Sequence, residues 1–313
     1  MAEIVITEFV DDATVQNLSQ DYDVHYDPTL VDQQQNLPIL LQDCRALIVR
    51  NRTQVTSKLL KSGPNIQVIG RLGVGLDNID TEACQEQGIE VCPAIGANSI
   101  SVAEYSIAAM LILLKRGIFD VRERVIAGEW PRTELMGLEA AGRSFGLIGY
   151  GAISREVAKR AQALGMQVTA FDPFINEDDP VWDIAKKATL DEIITTNNVI
   201  SCHVPLNNDT YHVIDETAIA RMRKGTIVIN ASRGGVVDEK AIIAGLKSKK
   251  LGGAALDVFE YEPLDQKSGA EFRDAPNLLI TPHVAWATEE ADIKTGTVTV
   301  ANVRRVLGCA REK

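Results

Sequence analysis

The sequence predicts an α/β chain folded into two doubly wound parallel-sheet domains. Three observations predict it. Short apolar, β-branched runs alternate with longer helical patterns along the whole chain, as parallel strands covered by helices require. The length of 313 residues suits two compact domains better than one. The strand–helix series also restarts in mid-chain, after an almost wholly apolar stretch at 102–115.

In chain order, the first strands read as Ile4-Val5-Ile6, Ala46-Leu47-Ile48-Val49, Gln67-Val68-Ile69 and Glu90-Val91-Cys92. Each is short and apolar enough to be covered on both faces. Residues 102–115 follow as a helix with few positions able to face water. Such a helix is expected to be buried all round, between domains or in a subunit interface. The second series runs from Arg143 to about Val284, with strands at 145–148, 167–171, 199–203, 226–230, 253–258 and 278–281. Six strands are what two mononucleotide-binding halves need. Residues 287–308 read as an amphipathic helix returning to the first domain. The expected division is therefore 1–100 plus 286–313 against 101–285, the first flavodoxin-like and the second Rossmann-like, joined by short linkers.

Composition narrows the function. Charged residues at 24% and hydrophobic ones at 45% exclude a disordered, collagenous or coiled-coil chain. A formal net charge of −11 disfavours nucleic acid and anionic membranes, so any anion must be caught locally. The longest apolar run, 107–114, is far short of the ~20 residues of a membrane span. Cys44, Cys84, Cys92, Cys202 and Cys309 form no C-x-x-C pair, and no signal peptide is recognisable at the start. They read as reduced thiols of a cytoplasmic protein. His25, His203, His212 and His283 are scattered without zinc-site spacing, so no metal is expected.

After the strand 145–148 comes Gly149-Tyr150-Gly151-Ala152-Ile153-Ser154, then a helical run. Strand, glycine turn and helix are the context of a dinucleotide fingerprint, with pyrophosphate at the positive end of the helix. The third glycine is replaced by Ser154, still small. Asp172 lies 21 positions beyond Gly151, where an acid meets a ribose 2′-hydroxyl and repels a 2′-phosphate. The expected cofactor is NAD rather than NADP.

Three later segments each end a predicted strand, where α/β sheets bind ligands. They are Asn230-Ala231-Ser232-Arg233-Gly234-Gly235, then 257–263 with Asp257 and Glu262, then Thr281-Pro282-His283-Val284-Ala285-Trp286. Together they offer an arginine, a carboxylate and a histidine. An arginine fork grips a carboxylate beside a carbonyl, while a histidine oriented by an acid moves a proton, as hydride transfer to a 2-oxo acid requires.

With the glycine turn, these segments resemble the D-isomer-specific 2-hydroxyacid dehydrogenase family, most of all its phosphoglycerate dehydrogenase-like branch. The resemblance covers about 49–284. It implies that Arg233 binds substrate, that His283 is the acid/base and that Glu262 is its partner. It implies that Tyr150, Gly151, Ala152, Ile153, Asp172, His203, Val204, Pro205, Thr210, Ala231, Ser232, Arg233, Asp257, His283 and Ala285 line the cofactor site, with Asp257 on the nicotinamide carboxamide. In the first domain, Val49-Arg50-Asn51-Arg52-Thr53 resembles the substrate loop. Arg71 to Asp80 resembles the glycine turn whose amides at Gly73, Val74 and Gly75 bind the substrate carboxylate, and paired glycines after a strand do form an anion nest. Asn98-Ser99 with Val102-Ala103-Glu104 resembles the hinge, with Asn98 on the substrate. Closure near 98–101 and 285–287 would expel water.

The implied activity is NAD-dependent interconversion of a D-type 2-hydroxy acid and its 2-oxo acid. Arg50 and Arg52, alternating at a strand end, are expected to share one face and to read a second anionic group at C3, as in phosphoglycerate or sulfolactate. Trp286 favours a smaller glycerate/hydroxypyruvate substrate. Ala152 and Ser154 depart from the family's arginine and glycine, which implies fewer pyrophosphate contacts. No serine-sensing domain is expected after Lys313. Formate dehydrogenase on the same fold is opposed by Glu262, where that branch has glutamine. An NAD-sensing corepressor-like binding protein is opposed by the lack of a partner-binding extension. The helix 102–115 and the segment to Glu139 resemble the family's homodimer arm.

Overall fold

The computed structural model describes residues 2–119 and 121–308; Cys309 lies outside them. The chain divides into one unit of Met1–Asn98 with Ala287–Lys313 and another of Ser99–Trp286.

The first unit is built on a five-stranded parallel sheet: β1 (Ile4–Ile6), β2 (Val24–Tyr26), β3 (Ala46–Val49), β4 (Val68–Arg71) and β5 (Glu90–Pro93), in the order β2-β1-β3-β4-β5. That is the flavodoxin-type order. Side chains alternate between two cores. Ile4, Ile6, Ala46, Ile48 and Val68 face one core with Val300, Val303 and Leu307 of the helix Glu289–Leu307. Val5, Leu47, Val49 and Ile69 face the other, with Leu37, Leu41, Leu59 and Leu60. The returning helix thus completes one of this unit's two cores. Thr288 caps it by accepting from the Ala291 N–H, and its first turn carries Glu289, Glu290 and Asp292 where the helix dipole favours acids. Strand β2 is one the sequence does not announce: it is a half-buried edge reading Val-His-Tyr.

The second unit carries seven parallel strands: β6 (Ser144–Ile148), β7 (Gln167–Phe171), β8 (Lys186–Lys187), β9 (Val199–Cys202), β10 (Thr226–Asn230), β11 (Leu251–Leu256) and β12 (Leu278–Ile280). Their order is β12-β11-β10-β9-β6-β7-β8. Counted from β6, this is the Rossmann order 3-2-1-4-5-6 with one more strand added. Seven strands replace the expected six because β8, two lysines on the sheet edge beside Thr169 and Ala170, offers no apolar run to read. Between β6 and β9 the connections diverge, leaving a crevice at their carboxyl ends.

The apolar helix is Ser99–Leu114. Its Ala103, Ala109, Met110, Leu113 and Leu114 pack with Phe145, Leu147, Ile227, Ile229 and Ala255 of the sheet. On the single chain Ile100 is 49% and Ile112 36% exposed. Its apolar excess is spent on its own sheet, with an outer face left over.

Candidate active site

Strands β10, β11 and β12 lie side by side and parallel, and each releases one of the three segments at its carboxyl end. After β11, Asp257 is 1% exposed. Its Oδ1 accepts from the Thr281 hydroxyl (2.5 Å) and the Val284 N–H (2.9 Å), and its Oδ2 accepts from the Ala285 N–H (2.8 Å). The His283 N–H donates to the Asp257 carbonyl at 2.7 Å. One buried carboxylate thus fixes the turn that holds His283 at φ 56°, a left-handed conformation a histidine adopts only when its surroundings impose it. Asp257 is therefore a turn-holding residue for the segment that carries His283. The phenol of Tyr105 meets the Thr281 hydroxyl at 2.7 Å and extends the network into the apolar helix.

His283 Nδ1 lies 2.7 Å from Glu262 Oε2, with both side chains about one-third exposed. Glu262 Oε1 accepts from the Phe259 N–H at 3.0 Å, so the acid is oriented from both oxygens. Burial by itself raises the Glu262 carboxyl. The hydrogen bonds from His283 and Phe259, with the charges of His283 and Arg233, outweigh it and hold the group below the usual carboxylate range. An ionised Glu262 keeps the Nδ1 proton in place and presents Nε2 for chemistry.

Arg233 leaves β10 through a turn tied by Asn230. The Asn230 amide donates to the Arg233 carbonyl (2.9 Å), and Asn230 Oδ1 accepts from the Ser232 N–H (3.1 Å) and hydroxyl (2.7 Å). The Arg233 Nη1 donates to the Ser232 carbonyl at 2.6 Å, which sets the direction of the guanidinium. At Gly234 a Cβ would lie 1.8 Å from the Phe259 carbonyl oxygen, so only glycine lets the arginine turn rest on the Glu262 loop. Ala231 sits in the same turn, partly buried.

The fingerprint turn opens the helix Ala152–Ala163, with Gly149 at φ 83° and Gly151 as cap. No side chain caps the first amides, and nothing lies within 4 Å of a Cβ position on Gly151, so the helix end with Ala152 and Ile153 is open to a pyrophosphate. Ser154 is fully buried, and its hydroxyl donates to the Gly149 carbonyl at 2.6 Å. It braces the turn rather than loosening it. The Tyr150 ring is buried and stacked on Trp182 (5.0 Å, 9°), so Tyr150 offers the site only its backbone. Its N–H donates to Asp172 Oδ2 (2.9 Å), and the Phe174 N–H donates to Oδ1 (3.0 Å), which pins Asp172 beside the turn.

At the end of β9, His203 Nε2 lies 2.9 Å from the Ser201 hydroxyl, while Nδ1 is buried with no partner among the described residues. Burial depresses its pKa to about 4. Val204 and Pro205 continue the segment, and the Thr210 hydroxyl donates to the Pro205 carbonyl at 2.6 Å, closing the loop on itself. These residues, the open helix end and Asp172 form a donor set that fits NAD.

The first unit holds the other expected contacts. Glu8, 4% exposed, accepts from the backbone N–H groups of Arg50 (2.9 Å), Arg52 (3.1 Å) and Thr53 (2.9 Å), and Asn78 donates to the carbonyls of Arg50 (3.3 Å) and Thr53 (2.6 Å). The loop is therefore rigid, but its two guanidinia turn to different acids. Arg50 pairs with Asp292 at 2.5 Å, both nearly buried, whereas Arg52 pairs with Asp32 at the surface. The shared cationic face expected from their alternation is corrected: the chain has left β3 at Val49, so strand alternation no longer applies. In the turn of Gly73, Val74 and Gly75, Arg71 donates to the carbonyls of Leu72 and Gly75 (2.6 Å each), and the Ala94 N–H donates to the Gly73 carbonyl (2.8 Å). The Gly73 N–H itself donates to the Arg71 carbonyl (2.8 Å), so of the three expected amides only those of Val74 and Gly75 are left for an anion. Asn98 Oδ1 is buried with no partner among the described residues.

Glu8, Asn78 and Asp292 are functional candidates that sequence reasoning missed. A buried acid between a strand and a helix carries no motif, and Asp292 reads as an ordinary first-turn acid. No group of three or more histidine, cysteine or acidic side chains able to hold a metal occurs among the described residues.

Residues 108–285 match the family model for the NAD-binding domain of D-isomer specific 2-hydroxyacid dehydrogenases. An (S)-sulfolactate dehydrogenase of Chromohalobacter salexigens is 47% identical over 309 residues, 98% of this chain and 99% of the relative. A hydroxypyruvate reductase of Thermotoga maritima is 38% identical over 86% of this chain and 87% of its own length. A D-3-phosphoglycerate dehydrogenase of Archaeoglobus fulgidus is also 38% identical, over 82% of this chain, but the match spans only 48% of that protein. Among solved structures, D-lactate dehydrogenase from Aquifex aeolicus, complexed with NAD and lactic acid, superposes with a TM-score of 0.82 at 27% identity, covering 97% of this chain and 95% of that one.

Proposed function

The chain belongs to the D-isomer specific 2-hydroxyacid dehydrogenase family, NAD-dependent oxidoreductases, and we propose that its substrate is a D-type 2-hydroxy acid with a second anionic group at C3, of the sulfolactate kind. The observation that carries the reaction is the 2.7 Å contact between His283 and Glu262 at a sheet's carboxyl edge. NAD, held at the fingerprint turn and Asp172, would supply the hydride acceptor or donor for C2. Arg233 grips the carboxylate and polarises the C2 oxygen. In oxidation, His283 Nε2 accepts the hydroxyl proton as the C2–H bond breaks; in reduction it returns that proton to the oxygen. Glu262 stabilises the imidazolium.

The substrate class rests on the near full-length likeness to the sulfolactate enzyme, with Arg50 of the rigid loop as the cation proposed to meet the C3 group. The stereochemistry agrees. Sulfur on C3 outranks the carboxyl group in naming priority, so (S)-sulfolactate has the spatial arrangement of a D-2-hydroxy acid. A glycerate/hydroxypyruvate substrate is the second reading, favoured by Trp286 and the T. maritima relative. Initial rates with NAD and (S)-sulfolactate, D-3-phosphoglycerate, D-glycerate or D-lactate decide. The highest kcat/KM is expected for sulfolactate; equal or better turnover of glycerate and lactate contradicts the reading. The enzyme works as a cytoplasmic homodimer. Its assembly uses the apolar side chains presented between the helix Ser99–Leu114 and β6, where Phe119, Ile126, Trp130 and Met136 are 69%, 72%, 74% and 68% exposed.

A further inference from the structure

The substrate loop carries two cations, and each is matched by an acid of its own unit. Arg52 pairs with Asp32 at the surface, and Arg50 pairs with Asp292 at 2.5 Å where little water reaches: their side chains are 9% and 13% exposed. The guanidinium of Arg50 also lies 5.9 Å from the centre of the Phe9 ring, an apolar wall beside the pair. Glu8, the remaining acid at this loop, is occupied by three backbone amides. Asp292 is held in the first turn of the helix Glu289–Leu307, a position where a carboxylate is stabilised and from which it does not swing freely. The locus that meets the C3 group therefore presents Arg50 already neutralised by Asp292.

From this we propose that Asp292 is a specificity residue: it makes the Arg50 subsite accept a singly charged sulfonate and penalise a doubly charged phosphate. The inference rests on the proposed reading that Arg50 meets the C3 anion. A sulfonate carries one negative charge throughout the working pH range. A phosphate monoester carries close to two above its second pKa of about 6. Both present oxygens to the guanidinium, but only the phosphate brings an extra charge against the Asp292 carboxylate. Where little solvent screens them, like charges a few ångströms apart repel strongly.

The test compares kcat/KM for D-3-phosphoglycerate and (S)-sulfolactate in the wild type and in Asp292→Asn. The ratio of phosphoglycerate to sulfolactate is expected to rise at least tenfold in the variant. In a variant shown to be folded by an unchanged Tm, a ratio that rises less than tenfold overturns the proposal. A second arm needs no variant. In the wild type the same ratio is expected to rise severalfold between pH 7.5 and pH 5.5, as the phosphate takes up its second proton. Titration of His283 or of the acids around the loop (Glu8, Asp32 and Asp292) acts on both substrates, and a flat ratio overturns the proposal. If the wild type prefers glycerate or lactate to both anionic substrates, the underlying substrate reading falls and this inference with it. Preference for sulfolactate with an unmoved ratio removes the inference alone.

Discussion

His203 shows how much one residue in the cofactor segment is bound by its surroundings. Half-buried beside Ser201, with Nδ1 shut off from solvent, it is neutral at physiological pH because burial pushes its pKa from 6.5 to about 4. The unfolded chain binds this proton below about 6.5 and the folded chain only below about 4. Stability from this site is thus complete above pH 6.5 and is lost as pH falls toward 4. A shift of this size corresponds to about 3 kcal/mol. Thermal unfolding between pH 4 and 8 is expected to show Tm falling steeply below pH 6.5, and His203→Gln is expected to flatten that fall; an unchanged slope contradicts it. Single residues were also where the sequence spoke most clearly. Arg233, Glu262 and His283 were legible because each follows a recognisable strand in a contiguous motif. Glu8 and Asp292 were not, since they act on Arg50 across 42 and 242 residues with nothing local to mark them.

At the scale of elements, the site is a meeting of turns rather than of side chains alone. The arginine turn after β10 sits against the Phe259 carbonyl, the next turn carries Glu262, and Asp257 ties the third to the second. Gly234→Ala forces a methyl group into a gap of 1.8 Å from backbone that cannot move without moving Glu262. A loss of about 1–3 kcal/mol of stability is expected from such overpacking, with kcat/KM down at least tenfold; a variant with wild-type rate and Tm contradicts this. The elements themselves were legible wherever a strand is apolar on both faces, as in β1, β3, β6, β9 and β10. Two of the four edge strands gave no signal: β2 is half-buried and mixed, and β8 is a pair of lysines whose pairing is set by the sheet beside it. Tertiary context decides such strands, so no local pattern reveals them.

For the molecule as a whole, the chain crosses between its two units after Asn98 and after Trp286, which lies three residues beyond His283. The apolar helix packs Ala103, Ala109, Met110, Leu113 and Leu114 on its own sheet and leaves Ile100 and Ile112 exposed on the single chain. The remaining apolar surface, continuous in sequence with Phe119, Ile126 and Trp130, is the reason for the homodimer proposal. Size-exclusion chromatography with light scattering is expected to give twice the 34.1 kDa chain mass, and Trp130→Glu with Ile126→Glu is expected to shift it to the monomer; a monomeric wild type contradicts it. The central claim is that the imidazole held by Glu262 moves the proton that accompanies hydride transfer. Replacing His283 with Asn and measuring both NAD affinity and turnover of the preferred 2-hydroxy acid tests it most directly. Turnover is expected to fall by about 10²–10⁴-fold with NAD affinity held within a few-fold. Turnover at the wild-type rate would contradict it.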